Sequence, residues 1–178
     1  KKKLTETKLA KLYSVVNQAI QRSIVDNDEP TNWNLDNAYD LELNEILKTK
    51  VYPYLKGEYS EEGRHFILND GTAIIGGAWS PINITFCLEQ DLCHFVNTII
   101  ADSDYDYDLM RSKLAKANGR KIFYFKFDDN TKKLIPAEGK CKTQDDDSYR
   151  RGPDTVAGCA KLIVQNGWKI PKDYPIRF

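Results

Sequence analysis

Four cysteines and two histidines are the side chains in this sequence best suited to nucleophilic, redox or metal chemistry: Cys87, Cys93, Cys141, Cys159, His65 and His94. No two cysteines form a CxxC pair, and the histidines do not stand at zinc-ligand spacing from them, so the pattern of a zinc site is absent. Cys93 and His94 are neighbours in what reads as strand, where adjacent side chains point to opposite faces, so they do not make a Cys–His dyad. His65 opens a strand and reads as a surface or partly packed residue. An even cysteine count without metal spacing favours disulfides and an oxidising, extracytoplasmic setting over buried free thiols. Four cysteines allow three pairings, and spacing alone does not choose among them.

The carboxylates give less. Asp102, Asp104, Asp106 and Asp108 resemble the start of a calcium loop, but Tyr107 stands where the turn glycine belongs and Lys113 where the closing glutamate belongs. A solvated acidic loop is the better reading, for the run at 102–108 and for Asp145-Asp146-Asp147 alike. Asn83-Ile84-Thr85 is a formal glycosylation sequon. There is no GxSxG elbow, no HExxH, no glycine-rich phosphate loop and no dinucleotide fingerprint. We therefore assign no catalytic residue, no metal ligand and no cofactor, and do not read the chain as an enzyme.

The elements that would position these residues begin with a long helix. Leu9, Leu12, Val16 and Ile20 recur along Leu4–Val25 at helical spacing, with Lys8, Lys11, Gln18, Gln21 and Arg22 opposite. About twenty-two residues make a helix about 33 Å long. Its abrupt start, Lys1-Lys2-Lys3 without a clear cap, leads us to expect that a piece is missing upstream. Asp26–Asn37 reads as a loop with Trp33 and Leu35 tucked onto the core. Leu41–Tyr54 reads as a shorter helix closed by Pro53 and Gly57, and Glu58–Gly63 as a polar loop.

The β signals follow. His65–Asn69 and Thr72–Ile75 flank Asp70-Gly71, the pattern of a two-residue hairpin turn with φ above zero at both positions. Ile82–Cys87 and Phe95–Ile100 read as strands joined by a short polar link. Leu109–Ala117 reads as a short helix ended by Asn118-Gly119. Lys121–Phe127 is an aromatic strand that Lys133–Ile135 pairs back onto. Val156–Gln165 reads as a compact helix, followed by an extended tail. The order predicts an α+β layer, a helix on an antiparallel sheet.

At 178 residues with 26 basic and 26 acidic side chains, the chain fits one domain of zero net charge. That balance argues against a nucleic-acid partner. No run of about eighteen apolar residues suggests a membrane span.

Four patches carry a resemblance to a known family. They are Gly158–Pro171 (GCAKLIVQNGWKIP), Leu12–Ile20 with the downstream Trp33-Asn34, Leu68–Ile74, and Asn118–Phe125. In this order they resemble bacterial type IV pilin-like and pseudopilin proteins, and they cover the chain from end to end. The resemblance implies a long helix on a four-stranded antiparallel sheet. Residues 1–178 would then be a single pilin-like head domain, with 1–25 as the C-terminal part of the long helix. It implies an upstream apolar segment that anchors the subunit in the membrane before assembly and then packs in the filament core. It further implies other pilin subunits as partners and a location at the cell surface or outside the cell. A minor pilin or adhesin-type binding module is the alternative, and a secreted enzyme the third. The family's aspartate loop runs into a Gly-Pro-Asn stretch that Tyr107–Ala117 replaces here, so no ion role is carried over to 102–108.

The family's carboxy-terminal loop implies Cys141 paired with Cys159. Cys87 and Cys93 would then bridge the short polar link between two strands, unless both are buried free thiols. With balanced charge and no apolar segment, the isolated domain is expected to be a soluble monomer. Light scattering at micromolar concentration checks this, and a stable oligomer would contradict it.

Overall fold

The structure, a computed structural model, describes residues 1–35, 38, 40–76, 83–101, 107–143 and 155–178. Helix α1 spans Lys2–Asn27 and α2 spans Asp40–Lys50, with single 3-10 turns at Pro30–Asn32 and Tyr52–Tyr54. Strands β1 (Gly57–Ser60), β2 (His65–Leu68), β3 (Ala73–Gly76) and β4 (Asn83–Cys87) follow. Helices α3 (Gln90–Ala101) and α4 (Tyr107–Ala117) come next, then β5 (Ile122–Asp128), β6 (Lys133–Pro136) and α5 (Cys159–Gln165).

The architecture is α+β, a long N-terminal helix with an antiparallel sheet. The sheet runs β1-β2-β3-β4-β5-β6, so it has six strands where four were expected. Gly57–Ser60, of which Gly57 reads from sequence as a helix stop and Glu58–Ser60 as loop, pairs along β2 from Gly57↔Leu68 to Ser60↔His65 and forms one edge. Lys133–Pro136 forms the other, from Phe125↔Pro136 to Asp128↔Lys133.

A second correction concerns Phe95–Ile100, which belongs to helix α3 and not to a strand. The run has apolar pairs on either side of Asn97-Thr98 and is too short for its period to separate a strand from a helix. The hairpin at Asp70-Gly71 forms, but with a three-residue loop. Leu68 N–H donates to Thr72 O at 2.8 Å and Gly71 N–H to Leu68 O at 2.9 Å. Of the turn residues only Gly71 has a positive φ, 81°. Asp70 instead accepts from the backbone and hydroxyl of Thr72 through Oδ1, at 3.0 and 2.6 Å.

Cross-strand partners place Tyr59, Phe66, Ile74, Phe86 and Phe125 on one face of the sheet. Helices α1 and α2 cover that face: Tyr13 packs on Phe125 at 5.5 Å, and Leu43 and Leu47 close over Gly76. Helix α3 covers the opposite face, where Cys93 joins Cys87 and His94 meets His65. Helix α5 packs against β5 and β6.

The stripe of α1 is the centre of the core. Leu9, Val16 and Ile20 are fully buried and Leu12 nearly so, each such side chain contributing about 1.5–3 kcal/mol. Trp33, buried as expected, also ends the helix: its indole N–H donates to Asn27 O and Asp28 O, carbonyls left without helical partners.

Asn17 breaks the apolar stripe for a reason the sequence does not display. Its carboxamide accepts from Leu134 N–H at 2.8 Å and donates to Leu134 O at 3.4 Å. The side chain thus stands where the next strand beyond β6 would pair. Replacing Asn17 with Ala strands two buried backbone groups and should cost about 2 kcal/mol. Gln21→Ala, which removes an exposed bond to Lys132 O, should cost no more than about 0.5 kcal/mol. Urea unfolding of the two variants checks the difference.

Candidate functional site

The four cysteines are joined as Cys87–Cys93 and Cys141–Cys159, with Cα separations of 5.7 and 4.6 Å. No free thiol remains, so no cysteine serves as a nucleophile. Cys87 ends β4 and Cys93 lies in the first turns of α3, so the first bridge pins a helix to the strand before it. The second ties the segment after β6 to the start of α5. Gly158 makes that closure possible: a Cβ there would lie 2.1 Å from Gly139 O.

His65 departs from its sequence reading. It is only 3% exposed, because α3 lies over the β2 end where a strand had been expected. Cys93 and His94 sit together on α3, so the strand argument about their faces does not apply; the disulfide itself removes the dyad. Thr85 of the sequon is fully buried within β4. Asp102, Asp104, Asp106 and Asp145–Asp147 lie outside the described residues. Among the described residues no group of three His, Cys, Asp or Glu side chains is gathered for a metal.

The outer side of α1 forms a long exposed face. Leu4, Thr7, Lys11, Ser14, Gln18 and Val25 are exposed at intervals of three, four and seven residues, so one stripe runs the whole helix. Leu4 is 61% and Val25 85% exposed, which leaves an apolar side chain at each end of the stripe. Grooves flank this ridge. One of about 310 Å³ lies at its start, between Leu4, Leu88 and Phe178. A second of about 360 Å³ separates Val15 and Arg22 from Tyr54 and Leu68. A third of about 680 Å³ lies along the other flank, floored by Tyr13 and Trp168, whose rings meet at 4.8 Å.

Short polar ties hold the ridge. Thr5 donates to Arg120 O, Lys8 to Leu88 O, and Lys11 pairs with Asp70 at 2.9 Å. Burial works against the Asp70 charge, but hydrogen bonds from Thr72 and Lys11 outweigh it and hold the carboxyl below its ordinary range. Burial raises the Tyr13 phenol above its ordinary value, with Asn17 opposing.

Trp168 reaches Tyr13 through the end of α5. Its N–H donates to Ile163 O and that of Gly167 to Val164 O, a paired C-terminal cap with Gly167 at φ 65°. Asn166-Gly167 after an apolar helix signals such a cap, although the sequence reading did not use it.

The whole chain, residues 1–178, matches a family described as "Family of unknown function (DUF6613)". The chain belongs to that family. No curated protein and no solved structure matches it.

In this DUF6613 member the two bridges differ in the loops they close. In the chain-entropy view the Cys141–Cys159 loop contributes about 3 kcal/mol and the shorter Cys87–Cys93 loop about 2. Reduction should therefore lower the thermal midpoint clearly, and Cys141→Ser with Cys159→Ser should cost more than the other pair. Non-reducing peptide mapping should find these two linkages; crossed linkages or free thiols would contradict the assignment.

Proposed function

We propose that this chain is a structural subunit of an extracellular type IV pilus or secretion pseudopilus, with residues 1–178 as its head domain and packing as its role. The observation that carries this reading is the outer face of α1. A helix of 26 residues uses one stripe for the core and presents the other as a continuous ridge with a groove on each side. Ridges that fit grooves are how helices pack on one another. A ridge of this length suits repeated contact with identical neighbours in a filament. The two disulfides fit an oxidising compartment. No described helix is long and apolar enough to cross a membrane. In this reading membrane anchorage before assembly resides in the upstream apolar segment that the family resemblance implies.

A second reading, a minor pilin or adhesin-type binding module, draws on the groove floored by Tyr13 and Trp168. Aromatic rings at the base of an open groove offer a stacking surface.

The ridge gives the test. Ser14 and Gln18 point outward and are exposed. Ser14→Arg with Gln18→Arg should change the stability of the isolated domain by no more than about 0.5 kcal/mol each. In cells producing the full gene product, the double variant should abolish filaments seen by electron microscopy, and antibodies to this domain should label wild-type filaments along their length. Normal assembly by the variant, or unlabelled filaments, would defeat the proposal. Labelling at filament tips alone would favour the binding module.

A further inference from the structure

Trp168 is a bulky residue in the left-handed region, at φ 64°, directly after Gly167 at φ 65°. A bulky side chain seldom occupies that region unless the surrounding structure holds it there. Here the turn brings the indole onto Tyr13 at 4.8 Å, with the two rings tilted by 50°. Asn166 Nδ2 donates to Lys169 O at 3.0 Å and clasps the turn from both sides. Trp168 is nevertheless only half-buried, and its indole N–H has no partner among the described residues. Trp33 differs on both counts: it is buried and its indole N–H is engaged. The two tilted rings floor the open groove of about 680 Å³ beside α1.

The walls of this groove are polar and partly unengaged. Gln18 and Gln21 use their Nε2 groups on Ser14 and on Lys132 O, which leaves both side-chain oxygens free to accept from a ligand. No Asp or Glu lines the groove among the described residues, whereas Arg22 and Lys133 line it and are exposed. The acids nearby are engaged elsewhere: Glu29 pairs with Lys132 at 2.8 Å, and Asp26 accepts from the Tyr54 hydroxyl at 2.7 Å. Arg22 follows Tyr13 by nine residues, about 13.5 Å of helix axis.

We propose that this groove binds an acidic oligosaccharide carrying uronic acid residues, with one sugar ring on Trp168 and Tyr13 and a neighbouring carboxylate at Arg22 and Lys133. A sugar ring offers an apolar C–H face to the aromatic floor. Its hydroxyls donate to the Gln18 and Gln21 oxygens, and the indole N–H donates to a ring oxygen. A guanidinium donates to a carboxylate through two parallel N–H groups, and the absence of acids among the described lining residues leaves that cation for the ligand. The span from Tyr13 to Arg22 exceeds one sugar ring, so a linked oligosaccharide fits where a free sugar does not. The inference rests on the binding-module reading above and needs this side of α1 uncovered.

The experiment titrates a hyaluronan tetrasaccharide, which alternates glucuronate with N-acetylglucosamine, into the disulfide-intact chain by calorimetry, beside NMR of the indole N–H signals. One equivalent should bind, and the indole signal that Trp168→Gly removes should be the one that moves. The same tetrasaccharide with its carboxylates reduced to alcohols should bind roughly tenfold or more weakly, and so should Arg22→Gln with Lys133→Gln, because a charge-assisted hydrogen bond is lost. Glycine suits the backbone at 168, so Trp168→Gly is expected to fold and to bind weakly for want of the stacking surface. No uptake by the wild type, undiminished binding by either variant, or tighter binding of a single-stranded oligonucleotide would each overturn the site. Should Trp168→Gly not fold, the exposed Arg22 and Lys133 pair decides the question. Equal binding of the reduced sugar would sink the acidic ligand and keep the binding-module reading, which the filament labelling above tests separately.

Discussion

Helix α1 is seated on the sheet through Leu9, Leu12, Val16 and Ile20, and the rest of the chain is arranged around that seat. Its polar residues reach segments far away in sequence. Glu6 accepts from Ile170 N–H, Thr5 donates to Arg120 O, and Asn17 brackets Leu134. Such contacts close very long loops, so each is worth little until the helix is already placed. The apolar stripe places it, and the polar ties then fix its rotation. Rotation is what matters for the outside. Once Leu9 and Val16 point inward, the exposed stripe from Leu4 to Val25 must point outward along the whole length of the helix.

The two edges of the sheet are treated differently. At β6 the outward backbone of Leu134 is already bonded to Asn17, so no further strand can pair there. At β1 no such cap is present among the described residues. That edge is protected by other means: it is four residues long, and Lys56, Glu58, Glu61 and Glu62 crowd it with charge. A filament built by adding strands would need an open, longer edge. For the filament proposed above, helix-to-groove packing would then be the mode of assembly.

Much of the fold was legible in the sequence because its signals are local. The α1 stripe, the hairpin around Asp70-Gly71, and the aromatic strand β5 with its return β6 all carry their period or turn chemistry within a few residues. The failures came where local pattern is silent. Glu58-Tyr59-Ser60 has a single apolar residue, and it is contact with Phe66 and Tyr52, outside that run, that half-buries Tyr59 against the core. Phe95–Ile100 is apolar but for Asn97-Thr98, a run too short for its pattern to tell a strand from a helix. That one error hid the burial of His65, since reading α3 as a strand left nothing to cover it. Asn17 was illegible for a different reason: its role is set by Leu134, remote in sequence.

Cys87, Cys93 and Cys159 are buried in the core, and the placement of the bridges connects to the seat of α1. Cys159 begins α5, a helix of seven residues too short to hold itself. Its first turn is bonded to Cys141, and its last turn, through the cap at Gly167, turns the chain so that Trp168 lands on Tyr13. Tyr13 in turn leans on Phe125 in β5. The bridge at one end of α5 thereby sets the position of an aromatic ring at the other, against the helix that organises the fold. The same logic holds at the opposite corner, where Cys87–Cys93 fixes the start of α3 and with it the place of His94. In both cases a covalent bond ties the first turn of a helix to another segment, and the ring it helps to position lies on or beside the exposed surface.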